Sequence, residues 1–396
     1  MSAPRAPLCL VLPLLLAAAE AAPSAPWCKI DLERNFFAEG GTFGDLNRDG
    51  VADVVAGPWW FEGPGFTRRH ELYAPQAADP LGYSKNFFAF IEDFNADGWP
   101  DVLIIGFPGE DASWLENPGS RNGPWQRHPA FAPVDNESPI FGDLLGNDER
   151  VLVCMSGGRG GYARRNPQDP TAMWTFHPAT PARESWGRFT HGLGFGDING
   201  DGRPDLLEPE GWWEQPASLA GDPVWKFHPA KFGAGAQILV TDVNGDGRAD
   251  VIASADAHGY GLAWIEQLPA QGGEIVFRRH ELLSTGPEKT NGVQFSQLHA
   301  LALADIDGDG LPDIVTGKRW WAHGPAHDPE PNAAPVLYAF LLRRTAGGEA
   351  SFQPQLIDDD SGVGTQITAA DINGDGRADV LSVNKHGIAL FLSTAP

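Results

Sequence analysis

Cysteine is nearly absent: three in 396 residues, with only Cys28 and Cys154 beyond the N-terminal stretch. Two such isolated thiols provide neither a disulfide framework nor a cysteine metal-site spacing, so packing and ions must hold the fold. Basic residues are also scarce, 28 Lys and Arg against 52 Asp and Glu, for a formal net charge of -24. Phosphate binding needs clustered Lys and Arg, which excludes nucleic acid as a partner and points instead to cations. Past residue 21 no apolar run approaches the roughly 20 residues of a membrane span. No helical periodicity is sustained, and neither a G-x-S-x-G elbow nor an H-E-x-x-H helix occurs.

The one apolar run stands at the start. Arg5, the stretch Leu8 to Ala19 and the triplet Ala19-Glu20-Ala21 have the three parts of a secretory signal peptide. Residues 1–21 are therefore expected to be removed, and residues 22–396 to form a secreted or periplasmic domain. Trp27 beside Cys28 argues against a lipoprotein box.

What is abundant is a repeat. GDLNRDGVADVV at Gly44 returns as EDFNADGWPDVL at Glu92, GDINGDGRPDLL at Gly196, TDVNGDGRADVI at Thr241, ADIDGDGLPDIV at Ala304 and ADINGDGRADVL at Ala370. A degenerate copy, GDLLGNDERVLV at Gly142, keeps the frame and loses most acidic positions. The first Asp residues fall at 45, 93, 143, 197, 242, 305 and 371, a spacing suited to four-stranded propeller blades. With 48 Gly and 34 Pro and no helical pattern, the expected fold is one all-β, seven-bladed β-propeller.

A second repeat runs out of phase: FTRRHEL at Phe66, WQRHPAF at Trp125, WTFHPAT at Trp174, WKFHPAK at Trp225, FRRHELL at Phe277 and FQPQLID at Phe352. Each reads as an outer strand, and His70-Glu71 and His280-Glu281 belong to it. Its seventh instance, WCKIDLE at Trp27, precedes the first acidic loop, so residues 27–34 are expected to close the last blade and leave no open edge.

The pattern D-x-[ND]-x-D-G-x-x-D sets oxygen ligands on alternating residues, with Gly at the sixth position for the sharp turn, which is the ligand logic of a calcium loop. An EF-hand also needs a Glu at position twelve and flanking helices, whereas here the ninth-position Asp leads straight into a strand. The expected ligands are Asp45, Asn47, Asp49 and Asp53; Asp93, Asn95, Asp97 and Asp101; and Asp197, Asn199, Asp201 and Asp205. The set continues with Asp242, Asn244, Asp246 and Asp250; Asp305, Asp307, Asp309 and Asp313; and Asp371, Asn373, Asp375 and Asp379. The seventh position offers its carbonyl, which lets Val51, Trp99 and Arg203 alike occupy it. Up to six structural calcium ions are therefore expected in loops joining the first and second strands of most blades. These loops resemble FG-GAP and VCBS repeats, the family that includes integrin α-subunit propellers and many bacterial secreted proteins. The resemblance implies the propeller and the calcium, and says little about activity.

In such a fold the loops entering the inner strands share a face with those joining second and third strands. Six residues before each first Asp stand Glu39, Phe87, Glu137, His191, Ala236, His299 and Thr365, with Lys85, Asn86, Asn136, Gln237 and Gln366 nearby. Two His and two Glu gathered there could hold an additional divalent metal or work as acid and base. The second connection adds GPWWFEGP, PEGWWEQP and GKRWWAHGP, whose Trp59, Trp212 and Trp320 either stack on sugar faces or pack between blades. Glu210, His258, Lys318, Arg319, Lys385 and His386 complete the rim.

HGLGFGDINGDGRPDLLEPEGWW, HALALADIDGDGLPDIVTGKRWWAHG and DDDSGVGTQITAADINGDG are similar to the propeller domain of the aldos-2-ulose dehydratases, sugar lyases that remove water from ketosugars. The likeness implies a carbohydrate lyase in which His191 or His299 abstracts a proton, Glu137 serves as acid or base, and a metal or Lys85 stabilises the enolate. Glu39, Asn86, Trp59, Glu210, Trp212, His258, Lys318, Arg319, Gln366 and Lys385 are then the expected substrate contacts. The rival expectation is a non-catalytic, adhesion-type propeller that binds a glycan or a protein partner.

Overall fold

The computed structural model describes residues 27–121, 123–345 and 347–394, so the expected signal peptide lies outside the described residues. Among the described residues there are 28 strands and one short 3-10 helix, Gly119–Arg121. The strands form a β-propeller arrangement. Five free-standing four-stranded sheets span residues 41–71, 88–134, 140–178, 301–358 and 367–393, the last completed by Trp27–Glu33. The remaining eight strands, residues 193–283, form one continuous sheet.

That eight-stranded sheet corrects the expectation of seven separate blades: five stand alone, and two four-strand runs are fused. Fusion occurs through their inner strands, Leu193–Gly196 and Gln237–Thr241, which pair in parallel at Leu193↔Gln237 and Gly194↔Ile238. Gly194 permits it, because a Cβ there would fall on the Ile238 carbonyl.

Sequence pattern explains the layers. Second strands such as Asp53–Ala56, Asp101–Ile105 and Asp250–Ser254 are buried at every residue, because each sheet is covered on both faces by its neighbours. They accordingly read as unbroken apolar runs after the Asp. Aromatic rings fill the wedges between sheets, as where Phe94 meets Trp114 at 5.8 Å and Phe141 and Trp174 each at 5.6 Å. In the outer layer one device recurs: a third-strand aromatic stacks on an outer-strand His, which bonds the Glu two residues after the aromatic. Trp60, His70 and Glu62 form one copy, with rings 4.0 Å apart and the bond 2.9 Å. Trp114, Trp212 and Trp264 repeat it with His128, His228 and His280.

The Trp27–Glu33 strand lies antiparallel against Gly387–Ser393, with Trp27 opposite Ser393. Lys29 pairs with Asp358 of the preceding sheet and Glu33 with Arg69 of the first, both at 2.8 Å, so the segment is tied to both sides of the closure.

Each acidic loop is fastened by its ninth-position Asp. Asp53 Oδ2 accepts from the Leu46 amide and Oδ1 from the Gly63 amide, both at 2.9 Å. Asp101, Asp205, Asp250, Asp313 and Asp379 repeat the pair, on Phe94 and Asn117, Ile198 and Gln215, Val243 and Gln267, Ile306 and Leu342, and Ile372 and Ser393. Asn117, Gln215 and Gln267 extend the latch by donating a side-chain amide to the carbonyls of Leu46, Leu144 and Ile198 in the preceding four-strand run. All six latch carboxyls are inaccessible to solvent.

Burial is the main influence on these carboxyls: it disfavours the charged form more than the two amide donors favour it, and the loop's other carboxylates add repulsion. Asp101, Asp205 and Asp313 are pushed up to about 7, and Asp53 and Asp379 to about 6. A carboxyl whose folded pKa exceeds its unfolded value gives stability that is full below the unfolded pKa and lost as pH rises through the folded one. Metal-free protein should therefore melt several degrees higher at pH 5 than at pH 8, and Asp205→Asn should flatten part of that slope. Melting curves in chelator check this; a midpoint that is flat, or that rises with pH, would contradict it.

Candidate functional site at the channel mouth

The strand order sends two kinds of loop to the same end of the inner strands, opposite the acidic loops. His191 and His299 precede the inner strands Leu193–Gly196 and Leu301–Ala304. His258 lies between Asp250–Ser254 and Leu262–Gln271, turned by the bond of its amide to Asp256 Oδ1 at 2.9 Å. From His299 to Asp305 is roughly 20 Å at strand rise, so the two ends are chemically separate.

Three imidazoles meet there. Ring centroids are 5.0 Å apart for His191 and His258, 5.4 Å for His191 and His299, and 4.6 Å for His258 and His299, at interplanar angles of 85°, 79° and 76°. One nitrogen from each lies within 4.8 Å of the others. Glu137 Oε2 stands 3.5 Å from His191 Nε2 and 3.9 Å from His299 Nε2. Beneath them Arg319 pairs with Glu39 and reaches Glu137 at 3.5 Å.

Burial sets the charges. His299 is 2% exposed, and desolvation, then the positive Arg319, depress it well below the ordinary imidazole range. Desolvation followed by the neighbouring His191 takes His258 down to about 4. Glu137 would be raised by burial, but His191 and Arg319 outweigh that and hold it below the usual carboxylate range. Lys385 is lowered to about 8, chiefly by burial; its ammonium lies 5.0 Å from the centre of the Tyr83 ring. At neutral pH the mouth thus holds an ionised carboxylate, two neutral imidazoles and an ammonium.

Not every expected residue arrives. Lys85 is exposed and lines a cleft of about 630 Å³ with Tyr73, Tyr83, Asn86 and Arg127 to which none of the three histidines contributes, so it is not the cation of the histidine cluster. Asn86 shares that cleft, 1% exposed and with its amide unpaired. Gln366 is engaged with the Ala89 backbone at 2.9 and 3.0 Å, joining two inner strands across the axis. Trp59 and Trp212 are 5% and 2% exposed, one edge-on to Phe37 and the other stacked on His228, so both are packing residues. Glu210 is exposed; the buried acid beside it is Glu208, paired with Arg183 at 2.9 Å. Lys318 is fully buried and donates to Ser296 Oγ at 2.8 Å.

Three mouth residues escape the sequence reading. Tyr83 is 39% exposed and donates to the Ala322 carbonyl at 2.8 Å. His323 stacks on His258 at 4.3 Å and bonds Asp328 at 2.9 Å. Both His323 and Asp328 come from the Pro-rich insertion after the second strand of the 301–358 sheet. Position was the available signal, since insertions there open on the mouth.

At the acidic loops, Asp45 Oδ1 and Oδ2 accept from the Asp49 and Gly50 amides at 3.0 and 2.9 Å, and Gly50 takes a φ of 86°. The left-handed glycine recurs at Gly98, Gly202, Gly247, Gly310 and Gly376. Carboxylate oxygens of Asp305, Asp307 and Asp313 lie within 4.8 Å of one another. The degenerate copy keeps the turn, with Asp143 accepting from Asn147 and Asp148.

Residues 242–316 match the FG-GAP-like repeat family. No curated protein matches the chain. Among solved structures the chain is similar to BBS1N in complex with ARL6DN, 10% identical over 95% of this chain and 98% of that one, TM-score 0.50. It is also similar to a Bacillus licheniformis rhamnogalacturonan lyase PL11, 13% identical over 97% and 75%, TM-score 0.46. The Photorhabdus luminescens Tc holotoxin pore is 20% identical over 76% of this chain, TM-score 0.39, and this chain spans 14% of its length. At 10% identity the likeness to BBS1N shows the fold alone. Among the described residues no helix is long and apolar enough to cross a membrane.

Arg319 is the one charge between two buried carboxylates. Removing one partner of a buried ion pair typically costs about 3–5 kcal/mol, because the other is left uncompensated. Arg319→Met should therefore lower stability by that order, whereas the exposed Lys85→Met should change it little. Urea unfolding of the two variants decides; equal midpoints would show that Arg319 does not hold the mouth.

Proposed function

We propose that this chain is an exported, calcium-stabilised propeller that acts on carbohydrate, removing water from a ketosugar at the channel mouth. The observation that carries the reading is Glu137: a buried, ionised carboxylate beside two imidazoles, held by Arg319 and open on one side to the mouth. Glu137 takes the proton from the carbon next to the carbonyl, and the Lys385 ammonium faces the enolate that forms. The C–O bond to the neighbouring hydroxyl then breaks as the double bond forms. Glu137 returns its proton to the leaving hydroxide, so water departs and the carboxylate is restored. His299, sealed from solvent, is too deep to act as the base expected from the sequence. Tyr83 and the half-buried Trp320, which meets His386 at 4.1 Å, supply the aromatic surface that Trp59 and Trp212 do not. The same reaction class is what the resemblance of the motif HGLGFGDINGDGRPDLLEPEGWW implies.

Loss of a catalytic base costs about 100-fold to 10,000-fold in rate. Glu137→Gln should show that loss in the appearance of an ultraviolet-absorbing unsaturated product, with its calcium-dependent melting retained. If wild type shows no turnover across a panel of keto- and uronic-acid sugars, yet a glycan binds and Glu137→Gln binds it equally, the adhesion-type reading replaces this one.

Calcium at the six acidic loops belongs to the same proposal. Each latch oxygen keeps a second lone pair after accepting its amide, and in one loop the first, third and ninth carboxylates, Asp305, Asp307 and Asp313, lie within 4.8 Å of one another. Calcium should raise the melting temperature of dialysed protein by several degrees, with up to six ions bound by metal analysis. Identical melting in chelator and in calcium would remove the ion from these loops.

A further inference from the structure

Between the 41–71 and 88–134 sheets runs a connection, residues 72–87, that contains no strand. It exceeds the roughly 12–15 residues beyond which a strandless loop in a compact domain usually serves a function. Bonds hold it in one shape: the Leu72 amide donates to the Pro58 carbonyl at 2.9 Å, the Ala78 amide to the Phe36 carbonyl at 2.7 Å and the Leu81 amide to Asp79 Oδ1 at 2.9 Å. With the second to fourth strands of the 88–134 sheet it walls the cleft of about 630 Å³, a volume within the roughly 300–1,000 Å³ of small-molecule sites. Asn86 is buried in that wall, and neither its amide nitrogen nor its amide oxygen has a hydrogen-bond partner among the described residues. Burial raises the Tyr73 phenol above the ordinary tyrosine range and Asn86 is the neighbour that most offsets it, so the phenol lies near the amide without closing a hydrogen bond on it. Buried polar atoms are ordinarily bonded, and a free amide lining a cavity marks a ligand position.

The wall decides the ligand class. A free primary amide offers two donors and an acceptor, the complement of neighbouring hydroxyls on one sugar ring. Charge around the cleft is mixed, Lys85 and Arg127 with Asp79, Glu110 and Asp111, so neither an anion nor a cation is selected. The Arg127 guanidinium donates to Ser113 Oγ at 2.5 Å and lies 5.4 Å from the centre of the Tyr73 ring, which holds it at the cleft with donors to spare. The cleft also adjoins the mouth. Tyr83 lines it, donates to the Ala322 carbonyl at 2.8 Å and has the Lys385 ammonium 5.0 Å from its ring centre, while the Asn86 carbonyl accepts from the Glu39 amide at 2.8 Å. We propose that the cleft is a second saccharide subsite, and that the substrate is an oligosaccharide whose terminal ketosugar occupies the mouth while the neighbouring neutral sugar lies against Asn86, Tyr73 and Arg127. Tyr83 is the step between the two sugars. The subsite stands on the cleft's own residues; the ketosugar at the mouth rests on the dehydratase reading above.

The test titrates the full chain, saturated with calcium, by calorimetry with short neutral gluco-, xylo- and manno-oligosaccharides, each series beside its own monosaccharide. In at least one series the oligosaccharide should bind about 10-fold more tightly than the monosaccharide, the gain expected of one or two added hydrogen bonds. Asn86→Ala should lose that gain, with its calcium-dependent melting retained. Should Asn86→Ala prove unstable, Arg127→Met, at an exposed side chain, should show the gain reduced about 3-fold. No preference for oligosaccharide over monosaccharide in wild type, or the same preference in the folded Asn86 and Arg127 variants, overturns the subsite. Oligosaccharide preference without turnover of any ketosugar would overturn the dehydratase reading and leave the subsite, and turnover of a free ketosugar without that preference would do the reverse.

Discussion

The aspartate at the ninth loop position is the residue through which each acidic loop, its sheet and the neighbouring sheet are joined. Its two oxygens bind an amide at the start of the loop and an amide at the end of the third strand. Hydrogen bonds to a charged acceptor contribute about 1.5–3 kcal/mol each, enough to offset much of what burial costs the carboxylate. The same residue opens the buried second strand, so the loop cannot move without disturbing the core. Where Asn117 or Gln215 receives the latch, its side chain carries the connection to a second sheet, and where Gln267 does, to the other half of the fused sheet. The composition that makes the chain so acidic is thus partly interior, since all six latch aspartates are wholly buried.

This arrangement uses one end of the inner strands for cohesion and leaves the other for chemistry. At the mouth, backbone connections of varied length bring together residues from sheets far apart in sequence: Arg319 from the 301–358 sheet meets Glu39 and Glu137 from the loops before two others. Gln366 and Gln237 tie inner strands together across the axis just below. The mouth therefore rests on a cross-linked floor, and its side chains are held by bonds that do not involve the acidic loops.

How much of this the sequence disclosed follows from which interactions are local. Repeats, strand order and the Gly at position six are written in short windows, so the propeller and its acidic loops were legible. Fusion of two strand runs was not, because it depends on Gly194 facing Ile238, a contact between repeats that no window contains. The same limit governed the tryptophans. GPWWFEGP and PEGWWEQP read equally as rim or packing until His70 and His228, from the other repeat, are seen stacked on Trp60 and Trp212. Alignment by position brought His191, His299 and Glu137 together correctly, since equivalent residues of a ring converge. It failed for Lys85, two residues before the aligned Phe87, and for His323 and Asp328, which lie in an insertion with no counterpart in the other repeats.

The histidine cluster gathers unmatched polar atoms at one point. Many buried polar groups of the molecule are matched, latch carboxyls by amides, outer histidines by glutamates and Lys318 by Ser296, while scattered ones such as the Asn86 and Asn136 amides have no partner among the described residues. An unmatched buried donor or acceptor costs about 1–3 kcal/mol, and His299 alone has two. Apolar side chains of similar volume would fill the same space without that cost, as the neighbouring Leu298 and Ala300 show by being wholly buried beside it. At the mouth that cost falls on His191, His258 and His299 together, around the Glu137 carboxylate that Arg319 reaches, which is where the proposed sugar would meet the protein.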